Sequence, residues 1–258
     1  MTIGAFDTNS AALQQRIASH DRFGSRDLNE WIFAELNVEP GMSVLDLGCG
    51  TGKQTLPLAE LVGPRGSVVA VDVSGESLQA LHTTAAARGI GERIATVECS
   101  LDALPAAISQ ERFDRVLGSF SLYYTGDAPG LFDRIHDALR PDGVLFFCGP
   151  APDNNEELKS FHYGLRGQDP PPDGPAATFM SVTAPTLVRD RFSDVQLLTF
   201  ENPLRFDSAE ALYAYWASYN LYDPDRDADF RLAADQHFSR HSYFSSTKRV
   251  IGVKATKR

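Results

Sequence analysis

Cysteine and positive charge are both scarce in this sequence. Its three cysteines, Cys49, Cys99 and Cys148, are too few and too far apart for a disulfide framework, and no CxxC pair or Cys/His cluster has metal-ligand spacing, so no bound metal is predicted. Lysine and arginine number 24 against 34 aspartates and glutamates, a formal net charge of −10. Without a basic stripe, we expect no nucleic-acid partner.

Long apolar runs are missing as well. The first ten residues, MTIGAFDTNS, lack the basic start and apolar core of a signal peptide. No stretch approaches the ~20 apolar residues that span a membrane. We therefore expect a cytoplasmic protein with no membrane partner. The basic cluster near the C-terminus is too small to outweigh the acidic remainder; it comprises Lys248, Arg249, Lys254, Lys257 and Arg258.

Short apolar runs that indicate strands alternate with helical patterns. The predicted strands are Ser43–Leu47, Ser67–Val73, Ile94–Cys99, Phe113–Ser119 and Gly143–Gly149, and the helical stretches between them include Gly52–Val62, Ser77–Arg88 and Gly130–Leu139. An earlier helix is predicted over Ser25–Asn37, with Ser25 as its N-cap. This alternation predicts right-handed crossovers and a parallel sheet covered by helices on both faces.

The pattern changes after Pro150. Two further strands are predicted, at Ser193–Phe200 and Thr247–Ala255, with a helical insert rich in aromatics between them. In this insert Asp207 and Glu210 have the spacing of a capping box. The side chains of Leu212, Tyr215, Trp216 and Tyr219 share one helical face, which is typical of core packing.

The stretch VLDLGCGTG, from Val44 to Gly52, puts three glycines between the first strand and a helix. Glycine lets the backbone turn sharply and approach a ligand closely, and a helix N-terminus adds free N–H groups. Asp72 ends the next strand about twenty residues later, where an acid can bind ribose hydroxyls. Loop and acid together predict a nucleoside-containing cofactor at the carboxyl edge of the sheet.

The glycine spacing separates two kinds of cofactor. Dinucleotide loops read G-x-G-x-x-G, whereas this loop reads G-x-G-x-G. Asp46, two residues before the first glycine, is unfavourable beside a pyrophosphate but suits an ammonium group. S-adenosylmethionine has an ammonium group and no phosphate, which favours it over NAD. A nicotinamide-dependent oxidoreductase and a non-catalytic regulator that binds S-adenosylmethionine remain as alternatives.

VLDLGCGTG resembles the first motif of class I S-adenosylmethionine-dependent methyltransferases, and the resemblance continues through VVAVDVS, FDRVLGSFSLYY and ALRPDGVLFF. These motifs are similar to those of the small-molecule branch that includes quinone-biosynthesis enzymes. The resemblance implies a Rossmann-like α/β fold with a seven-stranded sheet of order 3-2-1-4-5-7-6, strand 7 antiparallel, and a helical cap. We expect one domain over residues 1–258, with an N-terminal lid (1–24), a cofactor-binding core (41–149) and acceptor-side cap insertions (150–192 and 207–244).

The resemblance also implies roles for single residues. The three glycines would make room for the methionine part, Asp46 would face its ammonium group, Asp72 would bind the ribose and Val73 would pack on the adenine. The complete set of cofactor-binding candidates is Asp46, Gly48, Cys49, Gly50, Gly52, Gln54, Asp72, Val73, Ser100, Leu101, Asp102 and Ser119. Ser100 stands where the family often has an aspartate for the adenine amino group, so either Ser100 or Asp102 is expected to make that contact.

Methyl transfer needs an acceptor held in line with the methyl group and shielded from water. The segment FSLYY, Phe120–Tyr124, follows strand 4 and differs from the Asn-Pro-Pro-Tyr-like motif used for adenine or amide nitrogens, so we expect a small-molecule acceptor. The candidate catalytic residues are His20, His162 and Tyr124, and His241 is a further candidate base. Oxygen, nitrogen and carbon acceptors all remain open, and we expect a monomer or homodimer.

Overall fold

The structure, a computed structural model, describes residues 10–110 and 112–258. Its helices are α1 (Ser10–Phe23), α2 (Leu28–Leu36), α3 (Thr55–Val62), α4 (Gly75–Ala87), α5 (Ala106–Gln110), α6 (Ala128–Ala138), α7 (Glu156–Gly164), α8 (Pro175–Thr178), α9 (Ala184–Arg189), α10 (Ala209–Ala217) and α11 (Asp227–Phe238). Its strands are β1 (Ser43–Leu47), β2 (Ser67–Asp72), β3 (Ile94–Glu98), β4 (Phe113–Ser119), β5 (Leu139–Pro150), β6 (Ser193–Phe206) and β7 (Phe244–Thr256). None of the helices in the described ranges is long and apolar enough to cross a membrane.

The seven strands form one sheet in the order β3-β2-β1-β4-β5-β7-β6. Strands β1 to β5 pair in parallel, and β7 pairs antiparallel with both β5 and β6. The predicted fold class is confirmed. The predicted bounds of β1 and β4 are also confirmed, whereas β5 begins at Leu139 because that residue already pairs with Phe113.

Helices cover both faces of the sheet. On one face α3 packs against β1 and β2, α4 against β2 and β3, and α2 against β5; on the other, α6 packs against β5 and α9 against β6 and α6. Met180, Ala184 and Val188 belong to this second core. We expected the segment 175–192 in the acceptor-side cap. It packs largely on the sheet instead, because it belongs to the connection from β5 to β6 and buries its apolar side chains in this core.

Strands β6 and β7 are longer than the sequence predicts, and this extension carries a separate cap. β7 pairs with β5 only over residues 250–256, but it continues to pair with β6 as far as Phe244. We call residues 201–206 and 244–249 the ribbon. Its apolar side chains join those of α7, α10 and α11 in a cap core of Leu158, Leu204, Phe206, Leu212, Tyr215, Trp216, Phe230, Ala234 and Phe244.

Two predicted helix caps are wrong. The N-cap of α2 is Asp27, whose side chain accepts a hydrogen bond from the N–H of Asn29 (2.6 Å), and not Ser25. The reason is that Asn202 accepts the N–H of Ser25 at 2.9 Å and so ties that residue to β6. The N-cap of α10 is Ser208, which accepts the N–H of Ala211 at 3.2 Å, and not Asp207.

Of the predicted lid over residues 1–24, residues 1–9 lie outside the described part of the chain. Its remainder forms α1, which contacts α10 of the cap and strand β6. The loop after α1 is held by Asn202, which accepts the N–H groups of Ser25 and Arg26 and donates to the Arg26 carbonyl. The last turns of α1 are thereby fixed against the ribbon, beside the carboxyl edge of the sheet.

Candidate active site

The glycine loop turns sharply after β1 and is held by β2. Gly48 donates its N–H to the Val71 carbonyl (2.8 Å), and Gly50 donates to the Asp72 carboxylate (2.7 Å). Gly48 and Gly50 have φ values of 75° and 54°, in the left-handed region that favours glycine. The loop therefore presents its backbone, rather than side chains, at the carboxyl edge of the sheet.

The three loop glycines face different surroundings. A Cβ at Gly48 would lie 2.2 Å from the Cβ of Ser121, and one at Gly52 would lie 2.4 Å from a methyl group of Leu81. A Cβ at Gly50 would meet nothing within 4 Å. Packing within the protein therefore requires Gly48 and Gly52, while Gly50 borders open space in which a ligand fits.

Asp46 places a carboxylate under this loop. Its side chain is 1 % exposed and accepts a hydrogen bond from the Thr55 hydroxyl at 2.6 Å. Burial raises the pKa of Asp46 to about 6, the Thr55 hydrogen bond opposes this rise, and the charge of Asp72 adds to it. No basic side chain of the described residues forms an ion pair with Asp46, so a ligand with an ammonium group would supply the missing positive charge.

Asp72 and Val73 stand at the end of β2. The Asp72 carboxylate accepts the N–H groups of Gly50 and Ser74, at 2.7 and 2.9 Å, which fixes its orientation at the sheet edge. Val73 is 55 % exposed, an unusual exposure for an apolar side chain beside a buried strand. A fixed carboxylate next to an exposed apolar surface fits a ribose with its base.

Of the two candidate adenine contacts after β3, Asp102 is hydrogen-bonded within the protein and Ser100 is exposed. Asp102 accepts hydrogen bonds from the Thr125 hydroxyl and from the N–H groups of Gly126 (2.9 Å) and Asp127 (3.3 Å). These bonds, the Thr125 bond first, lower the pKa of Asp102 and hold the turn that follows β4. Ser100 precedes the helical turn Leu101–Ala103 and is exposed.

Cys49 and Gln54 help to hold the loop. Cys49 is buried, its N–H donates to the Val71 carbonyl at 3.0 Å, and burial raises the pKa of its thiol. The Gln54 amide donates to the Asn29 side chain at 3.0 Å and so ties the loop to α2. Both side chains are directed to the protein interior.

The backbone after β4 is strained at the sheet edge. Phe120 has a φ of 56°, a left-handed conformation that is costly for an aromatic residue. Its N–H donates to the Cys148 carbonyl (2.8 Å), and the Ser119 hydroxyl lies 3.7 Å from the Cys148 sulfur. Ser121 donates its hydroxyl to the Leu47 carbonyl at 2.5 Å. These bonds hold Phe120 beside the glycine loop.

The candidate catalytic residues occupy different environments. His162 is 4 % exposed, its Nδ1 accepts the indole N–H of Trp216 at 3.1 Å, and it packs in the cap. Tyr124 lies on the helical turn Leu122–Tyr124, half-buried, with its ring centre 4.8 Å from that of Tyr123. In residues 10–110 and 112–258 no group of three or more His, Cys, Asp or Glu is arranged to hold a metal.

His20 lies on α1 with its ring edge against Tyr215, the centroids 5.7 Å apart. Its Nδ1 is shielded from solvent and has no hydrogen-bond partner among the described residues. Burial lowers the pKa of His20 to about 2, and the charges of Lys248, Lys53 and Arg16 lower it further. The imidazole is therefore neutral at pH 7.

Lys248 lies beside the candidate site although the sequence pattern places it only in the C-terminal basic cluster. Its Nζ lies 5.3 Å from the centre of the Phe120 ring. Burial, followed by the charge of Lys53, lowers its pKa to about 8. One signal was available: an antiparallel last strand starts at the carboxyl edge of its parallel neighbours, so a lysine at its start lies near the site.

Comparisons with known proteins agree with this geometry. Residues 44–143 match the family described as a methyltransferase domain. Nocamycin O-methyltransferase from Saccharothrix syringae is 33 % identical over 217 residues, which cover 75 % of this chain and 76 % of that protein. A ubiquinone/menaquinone biosynthesis C-methyltransferase from Shewanella oneidensis is 34 % identical over 125 residues, 48 % of this chain and 49 % of that protein.

Among solved structures, a SAM-dependent methyltransferase from Aquifex aeolicus superposes with a TM-score of 0.56 at 13 % identity, covering 96 % of this chain and 98 % of that one. Fold and relatives together define a Rossmann-like enzyme that uses S-adenosylmethionine. The chain belongs to the class I S-adenosylmethionine-dependent methyltransferases, and it methylates a small molecule. The predicted cofactor is confirmed, and membership of this family sets aside the nicotinamide-dependent alternative.

Proposed function

We propose that this enzyme transfers the methyl group to an oxygen atom of a small biosynthetic molecule held between the sheet edge and the cap. The observation that carries this proposal is the extent of the similarity to nocamycin O-methyltransferase, which covers three quarters of both chains and so extends well beyond residues 44–143. The similarity to the quinone C-methyltransferase covers about half of each chain. Transfer to oxygen is therefore favoured over transfer to carbon.

The residues at the loop fit S-adenosylmethionine in three places. The buried carboxylate without a cation matches the ammonium group, and the open space beside Gly50 matches the methionine chain. The exposed Val73 matches the adenine. In this proposal Asp46 faces the ammonium group, directly or through water, and Asp72 binds the ribose hydroxyls. Ser100 meets the adenine amino group, since the Asp102 carboxylate already accepts three hydrogen bonds within the protein.

When bound, the cofactor supplies a methyl group on a sulfonium whose departure leaves a neutral thioether. The protein then has to position the acceptor and exclude water. In our proposal α1 and the cap cover the site, and the ring of Phe120 contributes an aromatic face near the positive charge. His20 is a weak base because its pKa is so low, and the Nδ1 of His162 is engaged by Trp216. An acceptor that is already ionised needs neither of them.

The proposed enzyme acts in the cytoplasm as a monomer or homodimer, without nucleic acid. The net charge of −10 supports the last point, because phosphate backbones attract basic surfaces.

Methyl transfer can be tested with labelled S-adenosylmethionine and a small-molecule extract of a strain from which the gene has been deleted, since such a strain accumulates the unmethylated acceptor. We expect one labelled product whose methyl group is bound to oxygen, and no product with the Asp72→Ala variant. Label on nitrogen or carbon, or no labelled product at all, would overturn the proposal.

A further inference from the structure

Four basic side chains from three elements meet at the carboxyl edge of the sheet. Arg16 and His20, one helical turn apart, project from α1; Lys53 lies in the glycine loop; and Lys248 lies on the ribbon. Helix α1 packs against β6, and Asn202 of β6 pairs with Lys248 of β7, so α1 and Lys248 are neighbours. Their electrostatic effects agree with this placement, because Arg16, Lys53 and Lys248 all lower the pKa of His20, and Arg16 and Lys53 lower that of Lys248.

This positive charge is not balanced by the protein. Among the described residues Arg16, Lys53 and Lys248 form no ion pair, and Arg16 Nε, like His20 Nδ1, is shielded from water without a hydrogen-bond partner. Of the carboxylates in the described part of the chain, Asp21 on α1 raises the pKa of Lys248. Arg16 and Lys248 are partly buried, while Lys53 is exposed to solvent. Partly buried positive charge without an ion-pair partner is suited to an anionic ligand.

Other basic residues of β7, and Lys257 directly after it, contrast with Lys248. Arg249 forms ion pairs with Asp153 and Glu157, and Lys254 pairs with Glu35. Lys257 donates to two carbonyl groups at the end of α6. Only Lys248 extends its amino group over Phe120 towards the region where the acceptor is expected.

Aromatic side chains of the cap lie beside this cluster, with their hydroxyl groups hydrogen-bonded within the protein. The Tyr215 and Tyr219 hydroxyls accept hydrogen bonds from the Asn155 and Asn154 side chains, at 2.9 and 3.0 Å. These bonds hold Tyr215 and Tyr219 against the segment before α7, and α1 packs on α10 with His20 against Tyr215. Aromatic walls around a few positive groups are the composition expected of a pocket that binds an aromatic or polyketide-like acid.

We propose that Lys248 and Arg16 form a subsite that binds an anionic oxygen of the methyl acceptor, either a carboxylate or an enol or phenol that is ionised at neutral pH. This inference rests on the proposed function, because it names the acceptor class of the same site. S-adenosylmethionine also has a carboxylate that this subsite could bind. The test must therefore distinguish binding of the acceptor from binding of the cofactor.

The test uses matched probes that differ in charge, namely benzoate against benzamide and 2-naphthoate against 2-naphthamide, titrated calorimetrically into protein saturated with S-adenosylhomocysteine. We expect at least one carboxylate to bind tenfold or more tightly than its amide. Lys248→Met and Arg16→Met should each abolish that preference and leave amide binding unchanged. Lys254→Met, on the same strand but ion-paired to Glu35, is the control and should keep it.

A second titration separates the two carboxylates. If Lys248→Met weakens S-adenosylhomocysteine but not its decarboxylated analogue, Lys248 serves the cofactor and the proposal is overturned. Equal binding of acids and amides, no saturable binding of any acid, or an unchanged preference in folded Lys248→Met would also overturn it. Because no methyl transfer is measured, a retained acid preference alongside failed transfer to oxygen would refute only the proposed function.

Discussion

Asp46 shows how a single residue can trade stability for ligand binding. Its carboxylate is buried without a positive partner, and burial raises its pKa from 3.8 to about 6. A carboxyl group whose pKa is higher in the folded protein than in the unfolded chain destabilises the fold progressively as pH rises from the unfolded to the folded pKa, and fully above it. The charge is therefore present for a ligand and not for the fold.

We predict that Asp46→Asn raises the free energy of unfolding at pH 7.5 by up to about 3 kcal/mol in the absence of cofactor, since each pKa unit corresponds to ~1.4 kcal/mol. The gain should shrink as pH falls from 6 towards 4, where Asp46 becomes neutral in both states. Urea unfolding at pH 7.5 and pH 5 measures this. Thr55→Val, which removes the hydrogen bond to the carboxylate, should act in the opposite direction; a stabilisation by Asp46→Asn that is independent of pH would contradict the explanation.

Asp72 serves both the loop and, in our proposal, the ribose. Asp72→Ala should lower the affinity for S-adenosylhomocysteine at least tenfold, because each charge-assisted hydrogen bond contributes about 1.5–3 kcal/mol. The lost bonds to Gly50 and Ser74 should also destabilise the loop, but the strand end remains covered and the fold should persist. Calorimetry on the folded variant measures the affinity, and an unchanged value would show that Asp72 does not bind the ribose.

At the scale of elements, the junction of the glycine loop with the segment after β4 depends on the missing side chain of Gly48. Gly48→Ala would place a Cβ 2.2 Å from that of Ser121 and force alanine into a left-handed conformation. We predict a loss of about 2–5 kcal/mol in urea unfolding, from overpacking and backbone strain together. Gly50→Ala is the matched variant, because it has the strain without the clash.

The two glycine variants should differ in what they damage. Gly50→Ala should lose ~1–2 kcal/mol of stability from strain alone, yet weaken S-adenosylhomocysteine binding, because its methyl group enters the open space. Adding Ser121→Gly to Gly48→Ala should recover part of the stability, whereas no recovery would mean that the clash is relieved by another route.

The hydrogen bond between Trp216 on α10 and His162 on α7 joins two helices of the cap. Replacing His162 by leucine leaves the Trp216 indole N–H buried without an acceptor, at a cost of about 1–3 kcal/mol in the free energy of unfolding. S-adenosylhomocysteine affinity and methyl transfer per folded molecule should not change, whereas a catalytic His162 would abolish transfer. The double variant His162→Leu/Trp216→Phe should be less destabilised than the sum of the single variants, because both polar partners are removed.

Local patterns predicted the elements well where the cause is local. The apolar run and the glycines placed β1 and its loop correctly, and Leu212, Tyr215 and Trp216 are buried on one face of α10 as predicted. Tyr219, predicted on the same face, lies beyond the end of α10 at Ala217 and is half-buried. The caps failed for two reasons. Ser25 is held by Asn202, which lies 177 residues away, and the spacing from Asp207 to Glu210 equals that from Ser208 to Ala211, so the sequence pattern does not separate the two caps.

For the whole molecule, ligand binding and folding are linked. S-adenosylhomocysteine at a hundred times its Kd should add ~2.7 kcal/mol to the free energy of unfolding, while NAD at the same concentration should add nothing. Thermal or urea unfolding with each compound measures this difference. Stabilisation by NAD with none by S-adenosylhomocysteine would be incompatible with the family assignment.

Features that depend on the packing of segments far apart in the sequence could not be predicted from the sequence alone. Strand order followed from the resemblance, and the nucleoside site followed from Asp72 and the loop. The basic cluster did not, because Arg16, Lys53 and Lys248 are brought together only by the pairing of β6 with β7 and by the docking of α1 on the ribbon. The cap boundary was blurred for the same reason, since Met180 and Val188 reach the sheet core only in the folded chain.

The ribbon also restricts how such a protein can change in length. Side chains alternate between the two faces of a strand, so Phe244, Ser246 and Lys248 face the same way and Arg249 faces the other. Inserting one residue on the cap side of Lys248 would turn the cap-core face outwards, whereas inserting two in each strand would move the cap outwards by ~7 Å with every facing preserved. A ribbon lengthened in even steps would therefore widen the space between the cap and the sheet edge and leave the cofactor loop, which lies on other strands, untouched.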